Sequence, residues 1–544
     1  MARGWSGFMK RFFMKNQSKI SKKITPIIAI SVFGCLLAYW IVKGNYFLIL
    51  ITFLPLFIFL ASGLVLKGTH SMGDLKEIDK LHVHVRNQHP HLLALILVLV
   101  IIGLNVFAPG EPTIFQRVLA SLILLMGFIP TFLYIKKNES GIPFLPLFGV
   151  IYSIYYALPI FTLEDYTVKF TVLPHASLGK ALLLATLGFL MLLLSYYKLP
   201  GRAIGRHLPR ISIYWNPQKA KLWAIILCVF GLLINYLSLI VQVPTQFTAA
   251  IFFLSQLSIV GMGILFILQL KGQLNKAGKI LLWGIFLPLI ILIILGAGMI
   301  ARVLFIIIFL SLTYWHFRRK IPWKAAVVTA LLLIALLSVR GEFRELTWGG
   351  AYAEKNPIGK SMLFSELVFT KRESYTKGSE LASTRTAHIL SFAYVVDLTP
   401  ERVPYWMGKT YLTLLWTPIP RVIFPWKPEK TLGQEFGHRY GFLDPFDLTT
   451  SCNLSQLIEM YANFGIIGVI IGMFIVGVIY RSLNEMLCHP KAGEGGLLIG
   501  LFIFMGLANI ESDLSLVFGG VIHYIILLAI FSRLIKEGSP AKSH

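Results

Sequence analysis

The run LIEMYANFGIIGVIIGMFIVGVIY, Leu457 to Tyr480, decides how this chain folds. It is long and apolar enough to cross the hydrocarbon core of a bilayer, which takes about 20 residues of helix. Its first turns carry Glu459 and Asn463, four residues apart and so on one helical face. Gly465, Gly468 and Gly472 follow, a small-residue face suited to close helix packing. Just upstream, Asn453-x-x-Gln456 reads as a capping box that starts the helix. An acid at the mouth of a spanning helix marks function by default. The competing reading is a carboxylate favoured there by the helix dipole.

Outward from this run, the chain divides into apolar stretches and one long polar interval, residues 340–456. Of the 544 residues 56% are hydrophobic and only 14% charged, with a mean hydropathy of +0.73. Soluble globular chains carry about 25% charged residues, so bilayer is the natural solvent here. About fourteen apolar runs reach spanning length. They begin at Ile24–Val42 and include Pro143–Leu163, Leu178–Tyr197, Thr245–Leu270, Ile280–Ile300, Trp323–Val339 and Leu514–Ile535. The expected organisation is an N-terminal transmembrane bundle over 1–339, a large extracytoplasmic catalytic loop over 340–456, and C-terminal transmembrane helices over 457–544.

The formal net charge is +25, yet its placement excludes a nucleic-acid role. Basic residues cluster in every second connection, such as Lys136 and Lys137, Lys198 to Arg210, and Arg318 to Lys324. The intervening connections, Pro109–Pro112, Gln242–Pro244 and Glu511–Asp513, carry none; Lys43 and Lys169 are minor exceptions. By the positive-inside rule both termini are cytoplasmic and the polar interval lies on the outer face. The basic N-terminus precedes an apolar run without a small-residue cleavage site, which reads as a retained first span. The four cysteines form no CxxC pair and no disulfide framework. There is no Walker A, dinucleotide, HExxH or GxSxG motif.

The stretch Arg340 to Tyr461, the polar interval with the first turn that follows it, holds more than half of the chain's acids and most of the candidate chemistry. Glu366–Thr370 and Ser383–Val396 have helical character, the second placing Arg385 and His388 on one face. Thr417-Pro-Ile-Pro420, Phe424-Pro425 and Lys427-Pro428 force extended or turn backbone. Arg421, Lys427, Lys430 and Arg439 crowd this Pro-braced segment; a guanidinium fork or an ammonium suits phosphate oxygens. The competing reading is surface charge balanced by Glu429, Glu435, Asp444 and Asp447. Arg302, between two apolar runs, is either an anion-binding residue or an interfacial one that snorkels. Candidate bases are Glu459, Asp444 and His438, with Asp447 and Glu435 also open; the residues themselves do not rank them.

PRVIFPWKPEKTLGQEFG, followed by Glu459-x-Tyr461-x-Asn463-Phe464-Gly465-x-x-Gly468, resembles the bacterial O-antigen (Wzy-type) repeat-unit polymerases. Arg302 after small residues, and Arg385 before PYWMGKTY, also fit. The matching residues lie mainly in Gly296–Ile479. Where the family has Gly-Ser-Arg, this chain has Gly-Met-Ile-Ala-Arg302. The resemblance implies an all-α, GT-C-like membrane glycosyltransferase of the bacterial inner membrane, acting on the outer face without metal or cofactor. The donor would be a glycan on undecaprenyl diphosphate and the acceptor a new lipid-linked repeat unit. It implies Glu459, Asp444 or His438 as base. Diphosphate and glycan would be bound by Arg302, Arg385, His388, Arg421, Lys427, Lys430, Arg439, Tyr461 and Asn463. Implied partners are membrane lipid, a chain-length regulator and a repeat-unit flippase. An O-antigen ligase and a lipid-linked oligosaccharide flippase are the alternative readings.

Overall fold

In a computed structural model of the chain the described residues are 94–137, 141–169, 171–198, 200–241, 244–296, 300–318, 339, 341–347, 357–370, 386–417, 419, 424, 426–428, 431–489 and 492–535. The first two expected spans and all of Trp323–Val339 but Val339 itself lie outside them. The regular elements of the described part are helices apart from one small antiparallel hairpin, Thr167–Val168 paired with Thr171–Val172. Six helices among the described residues are long and apolar enough to cross a membrane. They are Ile114–Lys136, His175–Tyr197, Pro217–Ser238, Ala250–Leu270, Lys276–Leu295 and Gln456–Leu487. Ala94–Val106, Phe144–Tyr156, His388–Leu398 and Gly493–Leu507 are shorter apolar helices.

Three expected runs are interrupted. Pro143–Leu163 becomes Phe144–Tyr156 and a short turn, Pro159–Thr162, because Pro159 supplies no N–H to continue the ladder. Thr245–Leu270 breaks at Gln256 into Thr245–Ser255 and Leu257–Leu270. Asn235 takes up a carbonyl at that break, donating to Ser255 at 2.9 Å. Ile280–Ile300 contains a π-helical segment, Leu281–Phe286. In the loop, the helix expected at Ser383–Val396 runs His388–Leu398, and the one at Glu366–Thr370 extends back to Pro357.

The core is built where Phe144–Tyr156, His175–Tyr197, Gln456–Leu487 and Gly493–Leu507 meet. Phe144 stacks on Phe504 at 4.3 Å and meets Tyr480 edge-on at 4.9 Å. Tyr152 stacks on Phe189 at 4.6 Å. The buried hydroxyls are satisfied by main chain, Tyr152 to Ala185 (2.7 Å) and Tyr480 to Leu507 (3.1 Å). Between lipid-embedded helices hydrophobicity gives no preference for protein over lipid, so interlocked shape of this kind holds the bundle.

The run that decides the fold is not one straight helix. Phe464 (φ −139°, ψ 18°) and Gly465 (φ 61°, ψ −141°) interrupt Gln456–Leu487. A Cβ placed on Gly188 would lie 3.3 Å from Leu457 and 3.1 Å from Met473. In a straight helix those two residues would stand about 24 Å apart. A Cβ on Gly472 would likewise meet Met460 Sδ at 2.6 Å. The chain therefore reverses at Phe464–Gly465, and residues 456–463 fold back beside residues 466–487. This corrects the reading of Leu457–Tyr480 as a single span. The glycines do pack closely, but Gly468 and Gly472 pack against the run's own first arm. That arm is buried throughout, whereas Ile466, Ile467, Ile471 and Ile475 on the second arm are exposed.

Candidate functional site

The buried first arm positions the candidate acid. Its helix starts at Gln456 with Ser455 as N-cap and no side-chain cap. The expected capping box at Asn453 does not form, because Asn453 instead donates to Glu511 at 2.9 Å, and Glu511 also accepts from Tyr155. The arm is anchored by Gln456, whose amides reach the carbonyls of Ile510 and Asn509, both at 3.3 Å. Glu459 is fully buried. Its Oε2 accepts the backbone N–H of Leu514 at 2.7 Å. Leu514 opens the helix Leu514–Ile535, and Asp513 caps the same end through the Leu516 amide at 2.9 Å. The carboxylate thus lies at a positive helix terminus.

Asn463 ties the loop to the end of the arm. Its amide donates to Thr410 Oγ1 and to the Glu459 carbonyl, both at 2.8 Å, while its Oδ1 accepts from Gly408 N at 2.9 Å. Two terminal carbonyls of the arm, Ala462 and Asn463, accept from Trp406 N (2.9 Å) and Met407 N (3.3 Å). A helix end needs such outside donors, and here PYWMGKTY, residues 404–411, supplies them. Gly408 takes a left-handed φ of 88° to make the turn. Asn463→Ala removes the buried hydrogen bonds to Thr410 Oγ1 and the Glu459 carbonyl and leaves the half-buried Gly408 N–H without its acceptor, and a loss of about 1–3 kcal/mol is expected. Chemical denaturation of the detergent-solubilised protein would measure it, and an unchanged midpoint would count against this docking. Tyr461 points the other way, donating to Thr399 O at 3.2 Å, while the Thr399 hydroxyl is paired with Tyr440 at 2.8 Å. Burial pushes the Tyr440 hydroxyl up, against the lowering effect of its Thr399 hydrogen bond.

Beside this polar knot runs an apolar groove of about 730 Å³. Tyr405, Met407 and Tyr411 of the loop form one wall, Phe464 and Ile467 to Ile479 of the second arm another, with Leu514 and Phe518 of the last helix. Tyr411 and Leu514 connect groove and acid. Leu514 donates to Glu459, and the Tyr411 hydroxyl is pushed well up, first by burial and then by the Glu459 carboxylate. Glu459 therefore stands one side chain behind the groove wall.

The other candidates are distributed around this centre. Arg439 lies 5.2 Å from the Trp406 ring and donates to Pro404 O, next to Tyr405 of the groove. Lys427 donates to the carbonyls of Thr417 (3.0 Å) and Ile419 (2.9 Å), which braces the Pro-rich turn. Arg302 lies over the Phe252 ring at 4.6 Å. His388 is buried at the start of the loop helix, edge-on to Tyr155 at 4.8 Å. His438 and Asp444 line a second pocket, which shares no residue with the groove. Arg385, Arg421 and Lys430 lie outside the described residues. Tyr405, Gly408, Thr410, Tyr411 and Leu514 were not singled out from sequence; the signal available was the Pro404 and Gly408 punctuation around three aromatic residues. Lys409, in the same segment, is exposed and pairs with Glu435 at 2.7 Å.

Asp447 organises the loop edge rather than the site. Its Oδ1 accepts the amides of Thr449 (3.0 Å) and Thr450 (2.9 Å). The Thr450 side chain, with these amides, holds its carboxyl far below the usual range. A depressed folded value contributes stability above the unfolded carboxyl pKa of about 3.9, and that contribution is lost as pH falls through the folded value. Thr449 and Thr450 amide exchange should therefore stay slow at pH 4, and become fast at pH 4 in Asp447→Ala.

Among the described residues the architecture is mostly helical, with long apolar helices compatible with a membrane protein, and in it a polar segment docks on a broken helix. The chain belongs to the family described as a domain of unknown function (DUF8712), which matches residues 201–536 and so takes in every candidate residue named from sequence. No curated protein and no solved structure matches it.

Proposed function

We propose that this protein is a repeat-unit polysaccharide polymerase: a GT-C-type inverting glycosyltransferase of the bacterial inner membrane, with about fourteen spans and its large loop on the outer face. The observation that carries this reading is the apolar groove with a buried acid behind its head. An isoprenoid chain needs an extended apolar channel reached from the bilayer, and the exposed isoleucines of the second arm provide one wall. Its diphosphate would then sit at the level of residues 405–411, where Lys409 is available because an exposed pair with Glu435 holds it only weakly. The resemblance names Arg385, Arg421 and Lys430 as further diphosphate-binding cations. Cations aimed at the leaving diphosphate stabilise the charge that develops on it.

In the reaction, a hydroxyl of the acceptor repeat unit attacks the anomeric carbon of the donor glycan from the face opposite the diphosphate. The new C–O bond forms as the bond to undecaprenyl diphosphate breaks. The leaving group carries off the electron pair, and the hydroxyl proton passes to a base, for which Glu459 is the candidate nearest the groove. A flippase would need polar groups along the whole path; here the groove is apolar and its acid lies behind the wall.

The test is reconstitution of the purified protein in liposomes with undecaprenyl-diphosphate repeat units. A ladder of products supports the polymerase. Transfer confined to an added lipid A core would make it a ligase, and lipid translocation without a new glycosidic bond would make it a flippase.

A further inference from the structure

The second pocket, about 610 Å³, brings together residues from distant parts of the chain. Lys169 comes from the small hairpin near the end of the first third, where it holds a left-handed φ of 51° between the two strands. Its ammonium lies 6.0 Å from the Phe442 ring centroid and against Gly441, where a Cβ would stand 3.2 Å away. Among the described residues it makes no ion pair. From the loop come His438, whose Nε2 is buried without a hydrogen-bond partner, and Asp444, whose Oδ1 accepts from Phe446 N at 2.9 Å. Phe442, Leu443 and Pro445 supply the apolar part of the lining. A lysine on an outer connection runs against the charge pattern of the chain, and this pocket gives it a use.

A pocket with one strong donor, one strong acceptor and an aromatic wall matches a sugar ring. Vicinal hydroxyls donate to a carboxylate and accept from an ammonium, while the ring's C–H face lies on an aromatic side chain. The two charges also select among sugars. An acidic sugar would be drawn to Lys169 but repelled by Asp444, so the pair favours an uncharged ring. We propose that Lys169, Phe442 and Asp444 form a binding site for a neutral pyranose of the acceptor glycan, outside the groove that holds the lipid. This rests on the polymerase reading for the identity of the glycan.

The test uses the full chain in nanodiscs, with methyl glucopyranoside and methyl glucuronopyranoside as probes, read by saturation-transfer NMR titration. The neutral glycoside should bind more tightly than the acidic one. Lys169→Ala and Asp444→Asn should each weaken it about tenfold, the loss expected for one charge-assisted hydrogen bond. Asp444→Asn should also narrow the preference by admitting the glucuronide. Equal binding of both probes, or neutral-probe affinity unchanged in Lys169→Ala, overturns the site. Laddering assays separate the two proposals. If wild-type protein makes ladders and Lys169→Ala keeps the wild-type KM for the acceptor, the pocket is wrong and the polymerase stands. If the wild type makes no glycosidic bond while Lys169→Ala still loses the neutral probe, the sugar site stands and the polymerase falls.

Discussion

Gly465→Ala is expected to remove most of the folded, monodisperse protein from detergent extracts. The backbone there sits at φ 61°, ψ −141°, a region that only glycine enters readily. Forcing a side chain into it costs on the order of 1–3 kcal/mol. The new Cβ would also stand 2.7 Å from the Tyr405 hydroxyl and 3.1 Å from Tyr405 Cζ. Overpacking of that kind adds on the order of 1–3 kcal/mol. Together these are a large part of the roughly 5–15 kcal/mol that keeps an average protein folded. The control is Gly284→Ala, where the nearest atom to a new Cβ is 3.8 Å away and nothing is strained; it should be neutral. Tyr405→Phe combined with Gly465→Ala should recover the hydroxyl clash and leave the tight ring contact and the backbone part. If Gly465→Ala purified and melted like the wild type, the chain would not reverse at this point, and the buried arm described above would be wrong.

That reversal is also where reading the sequence reached its limit. The apolar runs expected at Leu178–Tyr197 and Leu514–Ile535 are helices over His175–Tyr197 and Leu514–Ile535, legible because a long apolar run is what a helix in an apolar setting requires. Within LIEMYANFGIIGVIIG the same logic misled. Residues buried in protein and residues facing lipid are equally apolar, so a reversal between them leaves no change in hydropathy. The acid and amide in the first arm and the glycine after it were the available signals, and each had a plausible helical reading. Glu459, Tyr461 and Asn463 were therefore found by motif, while their partners were not. Thr410, Gly408 and Leu514 come from two other parts of the chain, and no spacing rule connects them to Asn463 or Glu459. His438 and Asp444 were grouped with Glu459 as alternatives for one role, yet they line a different pocket, together with a lysine read as an exception to topology. Long-range assembly of this kind depends on tertiary packing, which local pattern does not encode.

Glu459→Gln is expected to leave the protein folded and to slow laddering by roughly 10²–10⁴-fold, the range associated with loss of a general base. Glutamine is chosen because the polymerase reading gives Glu459 two separable jobs. One is to accept the Leu514 N–H at 2.7 Å and hold the start of the last helix; an amide oxygen still does this. The other is to carry negative charge behind Tyr411, at the head of the groove, where an amide cannot take a proton. Glu459→Ala removes both and should additionally lose about 1–3 kcal/mol, since the Leu514 N–H is then buried without its acceptor. Comparing the two variants thus assigns each job its own effect. If Glu459→Gln made ladders at the wild-type rate while Glu459→Ala unfolded, the carboxylate would be a helix cap alone, and the base would have to come from elsewhere. The KM for the lipid-linked donor adds a second reading. Glu459 lines no part of the groove itself, so a base behind the wall should lower kcat and leave donor KM near its wild-type value. A variant that raised donor KM instead would mean the charge shapes the groove rather than the reaction.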